Sequence, residues 1–272
     1  MKNLSLNIRG LGKNDDNKLK WFYKLWFKEK PNIIAIQETK CKKIPEFWLD
    51  KVWGNEDYKY AVKNSVGFSG GILTIWDANL FCANHVVERE SFIAVKGIWK
   101  DVGTELIIVN VHGLHNDDVK KKMWDDLRDV MNYDNATWVI LGDFNEVRSA
   151  AERKNTIYLD HRAKSFNSFI KDCNLIDVPL GGRNYTRIST NGVKFSKLDR
   201  FLITENFLHQ WPNIHAMVLD KKHTDHCPII LKENDLDFGP KPTKFFDECL
   251  KNKEAPEIVK LAWNLKVKKQ KA

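Results

Sequence analysis

The 272-residue chain lacks any apolar run approaching the roughly 20 residues that a membrane-spanning helix requires, which excludes a helical transmembrane protein. Its first residues, MKNLSLNIRG, break the apolar stretch of a secretory leader with Asn and Arg. An intracellular protein without a targeting segment is therefore expected. Cysteine is scarce. The five present (Cys41, Cys82, Cys173, Cys227 and Cys249) are odd in number and form no CxxC pair. This argues against a disulfide framework and a zinc site, and fits a reducing compartment. There is no internal repeat or low-complexity tract. Nor is charge strongly one-sided: 44 Lys+Arg against 36 Asp+Glu give +8. That excess is spread along the chain and is compatible with a polyanionic partner without demanding one.

What is present is a globular composition, 43% hydrophobic and 29% charged, which excludes a disordered or collagen-like chain. Apolar runs suited to buried strands recur at 3–8, 32–37, 71–76, 92–99, 105–112, 137–144, 198–204 and 226–232. Between them, Leu19, Phe22, Tyr23 and Trp26 follow helical spacing, as do Phe166, Phe169, Ile170 and Cys173. Met123, Trp124, Leu127, Val130 and Met131 make a third apolar stripe, which places Lys120–Lys122 and Asp125–Asp126 on its wet side. Many strands with a few interspersed helices predict a layered α/β domain over 1–231. The charged, Gly- and Pro-bearing KENDLDFGPKP then marks a boundary. Residues 232–272 read as a connector with short helices that have no core of their own.

The polar residues fall at the ends of the apolar runs: Asn7, Glu38, His112 and His115, Asp143 and Asn145, Asp199, and Asp225–His226. A sheet gathers strand ends along one edge, so these positions can converge. Each has an ordinary structural alternative. A Glu after a strand is commonly solvated, and Asp-x-Asn commonly builds an Asx turn. His85, His161, His209 and His215 carry no assigned role.

Taken in order, LNIRGLG, IQETK, GGILTIW, LGDFN, SKLDRFL and TDHCPI resemble the endonuclease/exonuclease/phosphatase superfamily, which includes the apurinic/apyrimidinic endonucleases and deoxyribonuclease I. The strings KPNIIAIQETK, GRNYT, SKLDRFL, DHCPIIL and DFGPKPTKFF are similar to the endonuclease of plant LINE-type (non-LTR) retrotransposons, in which this domain precedes a reverse transcriptase. No polymerase follows here, so on this resemblance the chain is an isolated or truncated amino-terminal piece.

The resemblance implies a four-layered α/β sandwich of the deoxyribonuclease I type, two packed mixed β-sheets flanked by helices, and Mg²⁺-dependent phosphodiester cleavage with Mn²⁺ as a substitute. DNA is the implied partner, with no membrane, and nuclear activity is expected. Glu38 would be the principal metal ligand, Asn7 would orient metal or phosphate, and Asp225 would be a ligand or neighbour of the metal. Asp143 would orient or deprotonate the attacking water, and Asn145 would donate to the phosphoryl oxygen. Asp199 would pair with His226, which serves as base or cationic phosphate ligand. Arg9, His115 and Arg148 are further candidates for phosphate or DNA contacts, alongside Lys13, Arg153 and Lys154.

The chain also departs from the family pattern. His112 replaces a usual Tyr, Leu114 a usual Pro, Leu6 a usual Trp, Arg187 a frequent aromatic, and Thr224 a usual Ser. Deoxyribonuclease I-like members use a His at the position of His112 to contact or protonate the phosphate, with a carboxylate partner that has no assignable equivalent in this sequence. Two rivals to an active endonuclease are a catalytically impaired DNA-binding relic and a phosphatase or lipid phosphodiesterase of the same superfamily.

Overall fold

The computed structural model describes residues 1–11, 16–54, 57–65, 67, 70–132, 136–234 and 260. Met1–Asn234 form one unit and Asp235–Ala272 another, and the elements below all belong to the first. Lys13, Cys249, the DFGPKPTKFF string and the expected terminal helices lie outside the described residues.

In chain order the elements begin β1 (Lys2–Asn7), α1 (Asp16–Glu29), β2 (Ile33–Gln37), α2 (Glu46–Trp53), β3 (Tyr58–Lys63), β4 (Ile72–Asp77) and β5 (Phe81–Glu88). They continue with β6 (Phe92–Trp99), β7 (Thr104–His112), α3 (Asp117–Asn132), β8 (Thr137–Asp143), β9 (Arg153–Lys154) and α4 (Asp160–Asp172). The last are β10 (Ile176–Asp177), β11 (Leu180–Gly181), β12 (Arg187–Ile188), β13 (Phe195–Ser196), β14 (Asp199–Ile203), α5 (Glu205–Gln210), β15 (Ile214–Val218) and β16 (Ile229–Glu233).

Two mixed sheets carry the fold. The first runs β11-β15-β16-β1-β2-β4-β3 and the second β10-β14-β8-β7-β6-β5. A small third sheet, β12-β13-β9, is bonded through β12 to the Asp225–Cys227 segment. All eight apolar runs of the sequence are strands. Their side chains face apolar layers on both sides, which is why the runs are nearly continuous rather than alternating. Ile33, Trp76, Val95, Trp99, Ile108, Val139, Phe201 and Leu231 fill the space between the two sheets. The outer face of the first sheet packs Leu6, Ile34 and Ile36 against Phe22 of α1 and Trp48, Leu49 and Val52 of α2. The outer face of the second buries Val109, Ile140 and Leu202 under Met123, Trp124 and Leu127 of α3 and Phe166, Phe169 and Ile170 of α4. The order helix, sheet, sheet, helix is the four-layered sandwich that the resemblance implies.

One expectation about the helices fails. Lys121, Lys122 and Asp125 are exposed, but Lys120 is buried, because α3 turns it toward the segment that follows β8. Tyr23, placed on the stripe of α1, is 43% exposed. Cys41, Cys82, Cys173 and Cys227 are free thiols, as an odd count without CxxC spacing predicts. Among the described residues no helix is long and apolar enough to cross a membrane.

Candidate active site

The strand directions bring the polar positions to one edge. β7 and β8 are parallel, with His112 opposite Asp143 at their C-terminal ends. β14 runs antiparallel to β8, so its first residue, Asp199, lies opposite Asp143 from the other side. In the first sheet β1 and β2 are parallel and end together at Asn7 and Gln37, one residue before Glu38. Between the sheets, Gln37 Nε2 donates to Asn110 Oδ1 at 2.7 Å, and Asn110 Nδ2 donates to the Leu73 carbonyl at 3.0 Å. These hydrogen bonds between buried amides and backbone tie the two sheets together directly beneath the polar edge.

A cleft of about 210 Å³ opens at that edge, lined by Asn7, Arg9, Glu38, Gly70, His112, Gly113, Leu114, His115, Asp143, Asn145, Arg187, Leu198, Asp225 and His226. The backbone around it is laced: the N–H groups of Ile8, Gly10 and Leu11 bond the carbonyls of Gln37, Glu38 and Thr39. Arg9, Glu38, Lys40 and Asn145 adopt left-handed φ values of 53, 56, 53 and 49°. Such values are uncommon outside glycine and cluster where geometry is functionally constrained. Two glycines have direct steric reasons. A Cβ at Gly142, the residue before Asp143, would meet the Val111 carbonyl at 2.1 Å, and one at Gly71 would meet Thr39 Oγ1 at 2.1 Å.

Asp143 is the hub. Its Oδ2 accepts from Asn7 Nδ2 at 2.8 Å and its Oδ1 from the Asn145 backbone N–H at 2.8 Å. His226 Nε2 stands 3.8 Å from Oδ2. On the far side of the ring, His226 Nδ1 lies 2.9 and 3.1 Å from the two oxygens of Asp199, which is buried behind it. Burial pulls the His226 pKa down, but the charges of Asp199, Asp143 and Asp225 and the Asp199 hydrogen bond outweigh it and hold the imidazole at about 9. Thr186 Oγ1 accepts the backbone N–H groups of Leu198 and Asp199 at 2.9 and 3.0 Å, fixing the carboxylate end of the pair. Thr224 keeps the hydroxyl of the usual Ser: it donates to the Asn7 carbonyl at 2.9 Å and accepts from the His226 N–H at 3.3 Å.

His112 is a different histidine. Burial lowers its pKa, against the pull of Asp143 and Glu38, and its ring nitrogens meet no hydrogen-bond partner among the described residues. It is a neutral imidazole in the cleft wall. The Asn145 amide donates to the Gly113 carbonyl at 3.3 Å and faces His115 Nδ1 at 3.0 Å.

The donors suited to a hard divalent cation are oxygens: Glu38, Asp225 and the Asn7 amide. Asp225 fits the demand, since its buried Oδ1 has no hydrogen-bond partner while its Oδ2 takes Arg9 at 3.2 Å and Arg187 at 3.1 Å. Glu38 Oε1 is met by Lys40 Nζ at 2.8 Å. Asp143, Asp199 and His226 also hold donor atoms within 4.8 Å of one another. There, however, His226 Nδ1 is engaged with Asp199, and a raised pKa keeps both ring nitrogens protonated. That trio is better suited to proton transfer than to holding a metal.

A model of the endonuclease/exonuclease/phosphatase family matches residues 4–219. The chain belongs to this family. Solved structures share the family's fold. An AP endonuclease from Leishmania major is 14% identical over 85% of this chain and 86% of its own, with a TM-score of 0.67. A 3'-5' exonuclease from Neisseria meningitidis is 17% identical over 86% of this chain and all of its own, at 0.65. The endonuclease domain of TRAS1, a telomere-specific non-LTR retrotransposon, is 14% identical over 85% of this chain and 96% of its own, at 0.61. No curated protein matches the sequence.

Of the candidates from the family motifs, Asn7, Arg9, Glu38, His112, His115, Asp143, Asn145, Asp225 and His226 share the cleft, with Asp199 behind it. Arg148 does not. Past β8 the chain turns away, and the Arg148 guanidinium bonds Asn167 at 2.8 Å and Asp177 at 3.0 Å, beside the fully buried Arg200. Arg153 donates to the Ile157 carbonyl at 3.0 Å, and Lys154 lies over the Phe195 ring at 6.0 Å. Arg187, read in the sequence only as a departure, lines the cleft, and Thr186 and Asn110 support it from beneath. GRNYT flagged Thr186 as part of a motif, but no sequence signal marked Asn110.

Proposed function

We propose that this chain is a Mg²⁺-dependent DNA endonuclease that nicks one strand, the nicking module of a LINE-type retrotransposon. The observation that carries the reading is the buried Asp199–His226 pair aimed across the cleft at Asp143, with Glu38, Asn7 and Asp225 in the same cleft. The LINE-like strings SKLDRFL and DFGPKP favour DNA over lipid or small phosphate substrates, and they lead to residues 232–272 as the connector toward a reverse transcriptase.

Glu38, Asp225 and Asn7 would hold the cation, which supplies charge withdrawal from the scissile phosphate and stabilisation of the leaving oxygen. Asp143, held by Asn7 and Asn145, keeps one oxygen facing the cleft region that His226 reaches and takes the proton of the attacking water. His226, protonated through Asp199, acts as a cationic donor to the phosphoryl group. Asn145 exchanges its contacts with Gly113 and His115 for the phosphoryl oxygen as charge develops there. His112, neutral and unpartnered, contributes a hydrogen bond but no charge, where a Tyr hydroxyl is usual.

The direct test is relaxation of supercoiled plasmid. Nicking is expected with Mg²⁺ or Mn²⁺ and should vanish with EDTA. Nicking that persists in chelator, or its absence in both metals alongside hydrolysis of a phosphomonoester, would reject the reading. Arg9 and Arg187 are two guanidinium groups sharing one Asp225 oxygen, and both are partly exposed, leaving a cation to meet a substrate phosphate. Arg187→Ala should weaken DNA binding and reduce the slope of log K against log salt by about 1. An unchanged slope in fluorescence anisotropy would leave Arg187 without a phosphate contact.

A further inference from the structure

Lys120 is a buried cation that the chemistry above does not use. It projects from the first turn of α3, its side chain 6% exposed, and faces the segment that follows β8. Its ammonium makes two short contacts at once: 2.7 Å to Glu146 Oε2 and 2.7 Å to the backbone carbonyl of Asn145. Glu146 is equally buried. Its other oxygen accepts the Val147 N–H at 3.1 Å and stands 3.6 Å from Arg153. Removing two charges from water is costly, and well-packed apolar side chains usually fill such a site at least as stably. An ion pair in this place is therefore poorly explained as a source of stability. What it adds that an apolar pair cannot is a donor on the Asn145 carbonyl.

That carbonyl is where a donor has the most effect on geometry. Asn145 sits at φ 49°, in the left-handed region that asparagine enters more readily than other non-glycine residues, and here hydrogen bonds hold it from both sides. The Asp143 side chain holds the residue from its N–H at 2.8 Å, and Lys120 holds it from its C=O. With both backbone ends of the residue pinned, the bond that carries its amide is held toward the cleft that Asn145 lines. We propose that Lys120, with Glu146 as its counter-ion, is a positioning residue that aims the Asn145 side chain into the cleft. The inference rests on the role given to Asn145 under the proposed function.

The test compares Lys120→Met with the double variant Lys120→Met/Glu146→Leu, which leaves no unpaired buried carboxylate. Both should lose roughly 30- to 100-fold in the nicking kcat, with KM changed less than about twofold, as expected for a misplaced transition-state donor. The double variant should regain the melting temperature but not the rate. In ¹⁵N-labelled protein, the Asn145 side-chain amide resonances should shift or double in both variants. A double variant with parental kcat, or an unmoved Asn145 amide in either variant, overturns the proposal. Should Lys120→Met alone not fold, the double variant carries the same comparison. If the parental protein nicks nothing, the endonuclease reading fails, while the amide resonances still decide whether Lys120 orients Asn145.

Discussion

Asp143→Ala is expected to lower single-turnover nicking by about 10³-fold or more, the upper part of the range for losing a positioned general base. The size follows from how many groups the carboxylate organises. Asn7 and the Asn145 backbone both donate to it, and His226 faces it across 3.8 Å. Alanine thus removes the proton acceptor and also releases Asn7 and Asn145. Asp143→Asn keeps the volume but presents an N–H₂ where one of two donors now lies, so it should be nearly as damaging. Thermal unfolding of both variants separates this from collapse of the edge. Activity within tenfold of the parent in a variant that remains folded would remove Asp143 from the chemistry.

The second large effect is on pH. In the folded protein His226 holds its proton to about 9, whereas a free histidine releases it near 6.5. Between those values the folded state binds more protons than the unfolded state, so stability falls as pH rises. The contribution is fully present below about pH 6.5 and is lost as pH rises through about 9. The groups responsible are Asp199 and Asp143, at the facing ends of β14 and β8, and Asp225, the residue before His226, with burial of the ring opposing them. Asp199→Asn should flatten the profile and move the imidazole titration, read by NMR, to lower pH. The alkaline limit of nicking should move down with it. Urea denaturation from pH 6 to 9.5 that shows no decline, or an unmoved titration in Asp199→Asn, would rule out the pairing as the source.

How much of this was legible in the sequence depends on what a residue type reveals about its neighbours. The strands buried on both faces, such as Ile33–Gln37 and Thr137–Asp143, announce themselves as apolar runs. β3 and β5 do not, because they are edge strands whose side chains alternate with solvent or face it outright. The convergence of polar residues on one edge was legible through ordered motifs rather than through any single residue. Two misreadings share one cause. Periodicity puts Lys120 on the wet face because it classifies a lysine by its charge and cannot see its partner Glu146. Closeness to GDFN puts Arg148 near phosphate, but closeness along the chain says nothing once the backbone turns toward Asp177. Arg187 illustrates the converse: the sequence marks the exchange of an aromatic, and only the fold shows that the new guanidinium shares Asp225 with Arg9.

The Asn7–Asp143 contact joins β1 of one sheet to β8 of the other, and His226, on the segment leading into β16, meets Asp199 at the start of β14 in the second. Catalytic competence is therefore a property of the seam and of neither half alone. A loosened state that preserved every strand and helix but let the halves slip by one residue would separate proton donor from acceptor. Turnover accordingly reports on docking between the halves, and inactivation on heating should precede or coincide with loss of tertiary signal, never trail it.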